Sequence, residues 1–258
     1  MSYRRLAGGF TLLDLLVSIV VIGLLLAIVL PLLAQASEAT KRVVCRSNVR
    51  QIGITLALYA ESHNGRLPQS IYATEYQQGL FMPQEMLLVR TPEALDGWDG
   101  LGRLFIEDYI ATPQSFYCPS HRAGHTFDAY ESAWIDPVDT EIVTNYHYRA
   151  IPSMANYLYD LDPGMALIAD GMRSISDYNH KIGSNVLRAD LSVRWFEDTN
   201  STLASSIPLA VGDSNADVNV ALAWWVLDTG ESNSFPGLPW SPNPNHNAPS
   251  GLSARLAW

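Results

Sequence analysis

Two cysteines and a pair of histidines carry the first chemical suggestion in this chain. Cys118, His121 and His125 follow a Cys-x2-His-x3-His spacing, and thiolate and imidazole are zinc ligands. Cys45, the only other cysteine, is the candidate fourth ligand. The segment lacks the second tight ligand pair of a closed zinc site, and its histidines flank a glycine-containing loop. Solvated loop histidines are therefore the favoured expectation. The same two cysteines admit a disulfide in an oxidising compartment, which would close a long loop and contribute about 4–5 kcal/mol. Bridge and separate thiols both stay open here, because a bridge needs a Cα separation that spacing does not reveal. A cysteine nucleophile has no visible oxyanion hole or orienting acid.

A second constellation lies near the C-terminus. Asp213, Asn215, Asp217 and Asn219 alternate oxygen-bearing side chains. An EF-hand would require glycine at 218 and glutamate at 224, where this chain has Val218 and Trp224. An Asx-rich turn is the default. Asp213, Asn215 and Asp217 are kept as weak calcium candidates, and no other cofactor or metal is expected.

These groups must be positioned by the elements around them, and the first element is the most legible. Residues 15–33 form an apolar run of 19 residues without a charge. As a helix it measures about 28 Å, close to the hydrocarbon thickness of a bilayer. Asp14 sits at its lip. An acid at a bilayer centre costs about 2.5–3.5 kcal/mol and less near an end, and intramembrane acids are usually paired. Ala34-Gln35-Ala36 satisfies a small-x-small cleavage rule. A secretory signal core is only about 7–15 residues long, however, and the helical pattern continues past Ala36. Arg4 and Arg5 precede the run with no acid, but Lys41, Arg42, Arg46 and Arg50 follow it against Glu38, so charge by itself orients the helix only weakly.

Beyond the run, Cys45, Val49, Ile52, Leu56 and Tyr59 recur at steps of four, three, four and three, one apolar stripe on a helix. Asn64-Gly65, with Pro68 after it, is a stop signal. The chain has 258 residues, 48% of them hydrophobic, and a formal charge of −10. Without residues 1–9 the balance is 14 basic against 26 acidic side chains. That argues against general nucleic-acid binding, which depends on neutralising phosphates.

Gly9-Phe10-Thr11-Leu12-Leu13-Asp14-Leu15-Leu16, after its basic leader, resembles the class III signal of type IV pilins and type II secretion pseudopilins. The resemblance implies cleavage by prepilin peptidase between Gly9 and Phe10 and N-methylation of Phe10. It also implies pairing of the acid, here Asp14 where the family has glutamate, with the terminal amine of an adjacent subunit. Gly23 and Pro31 fall where many pilin helices carry these residues. The segment Cys45-Arg46-Ser47-Asn48-Val49, then Asn64-Gly65-Arg66-Leu67-Pro68, is similar to the stem of large planctomycete-type pseudopilins. Cys118-Pro119-Ser120 resembles that group's Cys-Pro-Ser segment. His180, nine intervening residues and Asp190 resemble its His-x9-Asp-Gly signature, with Leu191 in place of the glycine. As residues, His180 and Asp190 are candidates for a proton-transfer pair, and a turn-stabilising hydrogen bond is the favoured reading. At the Asp190-Leu191-Ser192 turn, either Leu191 takes a strained positive φ or Asp190 takes that conformation.

Residues 165–170 read as a buried strand, and 185–196 as two strands about that turn. Residues 218–227 read as helix or strand. Residues 69–115 read as an insertion, with a short helix near 101–110.

The expected fold is α+β: a long N-terminal helix, transmembrane then amphipathic, packed on a small antiparallel sheet with loop-rich insertions. The expected division is a leader (1–9), an assembly helix (10–33), a stem (34–65) and a head (66–258) with an irregular extension at 229–250. The resemblance implies a non-enzymatic fibre subunit of the bacterial inner membrane, single-pass, with a periplasmic head. Its implied partners are prepilin peptidase, other pilin or pseudopilin subunits, an inner-membrane assembly platform and membrane lipids. A membrane-tethered exported binding protein that never polymerises is the alternative.

Overall fold

The structure, a computed structural model, describes residues 12–74, 82–135, 140–151 and 156–232. The leader, Gly9 and Phe10 lie outside them, as does the extension from residue 233 with its Phe235 and Trp240. Two compact units are present, Met1–Lys41 and Arg42–Trp258. One helix, α1 (Leu12–Ser62), contributes to both. It is 51 residues long, about 76 Å at the α-helical rise. Pro31 lies inside it without ending it.

In the first unit the helix is apolar all round and exposed. It is long and apolar enough to cross a membrane, and none of its most apolar window is buried within the chain. A helix of this kind needs an apolar medium or partners of its own kind.

In the second unit the stripe does what its spacing predicts. Cys45, Val49, Ile52 and Leu56 are fully buried and Tyr59 nearly so. Gly53 lets the backbone approach β5 (Gly183–Arg188). A Cβ at this position would lie 2.6 Å from Leu187 Cδ1. The helix ends with Asn64 at φ +55° and Gly65 at φ +84°. The Gly65 N–H donates to Ala60 O at 2.7 Å, a six-to-one closure of the Schellman type.

The main sheet is antiparallel in the order β3 (Tyr146–Tyr148), β4 (Ala166–Asp170), β5, β6 (Val193–Glu197). Strand β4 is buried along its whole length, in keeping with its unbroken apolar run. A register irregularity separates the Ala166 and Ile168 pairings with β5. Strands β5 and β6 form a hairpin in which Asn185 faces Trp195 and Leu187 faces Val193. At its turn it is Leu191 that takes positive φ, +62°, a conformation costing a non-glycine residue about 1–2 kcal/mol.

Residues 69–115 are not a bare insertion. They supply α2 (Ile71–Thr74), β1 (Leu88–Arg90) and α3 (Gly102–Ile106). Strand β1 pairs with β2 (Ile142–Val143) in a second, two-stranded sheet. Helix α4 (Phe127–Ile135) lies between. Further along, α5 (Thr202–Ser206) precedes α6 (Ala216–Thr229). Residues 218–227 are therefore helix, closed by Gly230 at φ +81°. Trp224 of α6 is fully buried against the main core.

Candidate functional site

The described residues hold two candidate sites. The first is the start of α1. Asp14 lies in its first turn, and Ser18 Oγ donates to the Asp14 carbonyl at 2.5 Å. From Leu15 to Leu33 every large apolar side chain is exposed, and Asp14 is the one acid in the helix before Glu38.

The second site is a polar cluster under the stem, where α1 meets the sheet. Cys45 on α1 and Cys118 are joined in a disulfide with Cα atoms 5.3 Å apart across a separation of 73 residues. His180 Nε2 lies 3.7 Å from Cys118 Sγ and 3.8 Å from Asp170 Oδ1. Both side chains of that histidine–aspartate pair are fully buried. Burial pushes the Asp170 carboxyl above its ordinary range, against the opposing pull of His180 and the Asn185 N–H. Asn185 N donates to Asp170 Oδ2 at 2.8 Å.

Asn145 ties this layer to the next. Its Oδ1 accepts from Cys118 N at 3.1 Å, and its Nδ2 donates to His125 O at 2.9 Å. Its carbonyl accepts from Asn179 Nδ2 at 3.2 Å. Asn179 Oδ1 in turn meets His121 Nδ1 at 2.8 Å. His125 Nε2 is paired with Asp177 Oδ1. Asp177 closes the 3-10 turn Ile175–Asp177 through a capping box with Ser174. Burial opposes its charge, but the bonds from His125 and Ser174 outweigh that and hold the carboxyl below its usual range. Burial likewise pushes His121 below the ordinary imidazole range, despite its bond to Asn179.

Several candidate groups are thereby reassigned. The Cys-x2-His-x3-His zinc reading loses its sulfur, because Cys118 is bonded to Cys45. The loop histidines are not solvated: His121 is buried and His125 is half-buried. His180 and Asp190 do not meet. The six residues of β5 separate them, about 17 Å of strand. Asp190 instead serves its own turn, accepting from Ser192 N at 2.8 Å. Ser192, through its hydroxyl first and its N–H second, holds the Asp190 carboxyl low.

The two aspartates of the oxygen ladder are engaged by backbone N–H groups. Asp213 Oδ2 accepts from Ala210 N at 2.9 Å, and Asp217 Oδ1 from Gln84 N at 3.0 Å. Asn215 stands at the N-cap position of α6 without a side-chain capping bond. Asp170, Asp177, Asn145 and Asn179 carry no spacing signal relative to the histidines. Only the three-dimensional pairing of β3, β4 and the following turn assembles them.

A cavity of about 600 Å³ opens at the far end of the stem, walled by Tyr59, His63, Arg66, Asp96, Asp99 and Arg103. Asp99 is buried, accepts from Ser70 Oγ at 2.6 Å and Ile71 N at 2.8 Å, and is pushed up to about 6 by burial. No protein family, curated protein or solved structure matches this chain.

Proposed function

We propose that this chain is a structural subunit of a type II secretion pseudopilus or a type IV pilus-like fibre. Prepilin peptidase cuts it after Gly9, Phe10 is methylated, and the subunit assembles through the start of α1. The observation that carries this reading is an exposed apolar helix of membrane-spanning length with its lone acid, Asp14, at the lip. In a bilayer or a fibre core that carboxylate needs a cation, and the amine of a neighbouring Phe10 supplies one. The buried stripe and the disulfide support the reading too, because they fasten the stem to the head so that polymerised stems would display it. The head lies in the periplasm, and its role is display rather than turnover.

In cells, Asp14→Ala is expected to leave the subunit in the membrane but exclude it from fibres, with Asp14→Glu active. Cysteine cross-linking between neighbouring stems reads this out. A second reading, a tethered exported binding protein that never polymerises, draws on the cavity at the end of the stem. It predicts that Asp14→Ala changes neither location nor oligomeric state.

A further inference from the structure

We propose that His121, His125 and Asp177 form a binding site for a divalent transition-metal ion of the zinc class. This goes beyond the assembly reading and does not depend on it.

One ligand atom from each residue lies within 4.8 Å of the others. The three come from distant parts of the sequence, a loop before α4 and the turn after β4. Their orientation is what distinguishes the cluster from a chance meeting. Asn179 Oδ1 accepts from His121 Nδ1, which fixes the tautomer and leaves the Nε2 lone pair bare. That Nε2 is buried and has no hydrogen-bond partner among the described residues, and His121 is only 9% exposed. A buried nitrogen left unsatisfied is costly. An imidazole held at one nitrogen by an amide or carboxyl oxygen, with the other nitrogen open, is the arrangement of a metal-ligating histidine and its outer partner.

Asp177 is prepared in the same way. Its Oδ2 accepts from Ser174 N and Ser174 Oγ, both at 2.8 Å. Its Oδ1 turns towards His125. The loop carrying His125 is held by the bond from Asn145 Nδ2 to the His125 carbonyl.

Two imidazoles and one carboxylate suit zinc and its neighbours better than calcium or magnesium, which prefer all-oxygen shells. Ligand atoms on a tetrahedral ion at about 2.0–2.1 Å stand roughly 3.3 Å apart. The His125–Asp177 pair must therefore spread to about 3.3 Å as the ion replaces its hydrogen bond, while a contact at the 4.8 Å limit closes by about 1.5 Å. The fourth position is left for water or a ligand atom. A cavity of about 550 Å³, lined by His121, Cys118, Asp128 and Asn145, adjoins the cluster at His121.

The test uses full-length protein in detergent, made without a polyhistidine tag and stripped by a chelator. Zinc alone is titrated by calorimetry, and cobalt alone by visible absorption. A single ion should bind, and cobalt should give the ligand-field bands of a four-coordinate nitrogen and oxygen site. His121→Ala and His125→Ala should each weaken binding at least about 100-fold, and Asn179→Ala about 10–100-fold. Asp213→Asn should leave binding unchanged. Wild-type protein that shows no such cobalt bands overturns the proposal, whether or not any variant folds. So do His121→Ala and His125→Ala variants that melt like wild type and bind zinc equally well.

Discussion

His180 faces Asp170, not Asp190. Its Nε2 lies 3.8 Å from Asp170 Oδ1 and 3.7 Å from the sulfur of Cys118, so the imidazole sits between that carboxyl and the disulfide that joins stem to head. A histidine of the turn after β4, an aspartate at the end of β4 and a cystine thus form one buried layer. The layer supports the docking of the stem, because the same α1 stripe supplies Cys45.

The bridge should therefore be a major source of stability. Closing a loop of 73 residues contributes about 4 kcal/mol in the chain-entropy account. The Cys45→Ala, Cys118→Ala double variant should lose roughly that much, a fall in melting temperature of about 10 °C. Thermal unfolding of the oxidised protein against the double variant checks it. Equal melting temperatures would contradict the structural role given to the bridge.

Two buried groups pull the pH dependence in opposite directions. The Asp99 carboxyl is pushed up to about 6, and the His147 imidazole down to about 4, each first by burial. Between about pH 4 and 6 the folded chain keeps a proton on Asp99 that the unfolded chain has lost, so this contribution to stability falls as pH rises. For His147 the unfolded chain holds the extra proton between about pH 4 and 6.5, so that contribution rises with pH. Asp99→Asn removes the falling limb. The stability of the variant relative to wild type should rise by about 2 kcal/mol from pH 4 to pH 7. Denaturant unfolding at both pH values measures it, and a difference independent of pH would count against the buried charge.

The stem should be sensitive at one small residue. Gly53 leaves room for Leu187, and even a Cβ there would sit 2.6 Å from Leu187 Cδ1. Gly53→Val should force the stem off β5 and destabilise the head by about 2–3 kcal/mol. Gly23→Val, where nothing lies within 4 Å, should leave the head's stability unchanged. Denaturant melts of the two variants separate a packing effect from a general effect of adding a branched residue to a helix.

Much of the scaffold was legible because its signals are local and periodic. The stripe from Cys45 to Tyr59, the Asn64-Gly65 stop, the buried run of β4 and the hairpin about Leu191 each follow from a few adjacent residues. Residues 218–227 stayed ambiguous for a physical reason: α6 is apolar on most of its circumference, so its sequence lacks the one-sided pattern of a surface helix. The short strands β1 and β2 gave no signal, since two or three residues have no measurable period. The polar cluster was the least legible part. Spacing tied His180 to Asp190 and His121 to Cys118, whereas the fold brings His180 to Asp170, His121 to Asn179 and His125 to Asp177. Ligand and hydrogen-bond partners that meet only through sheet topology leave no trace in linear distance.

The central claim concerns the start of α1, and the mass of the mature N-terminus tests it most directly. Protein isolated from native membranes and analysed intact, then by sequencing of its N-terminal peptide, should begin at Phe10 and carry a methyl group on that amine. A chain that still begins with its leader, or one that begins at Ser37, would deny Asp14 its partner and contradict the assembly account.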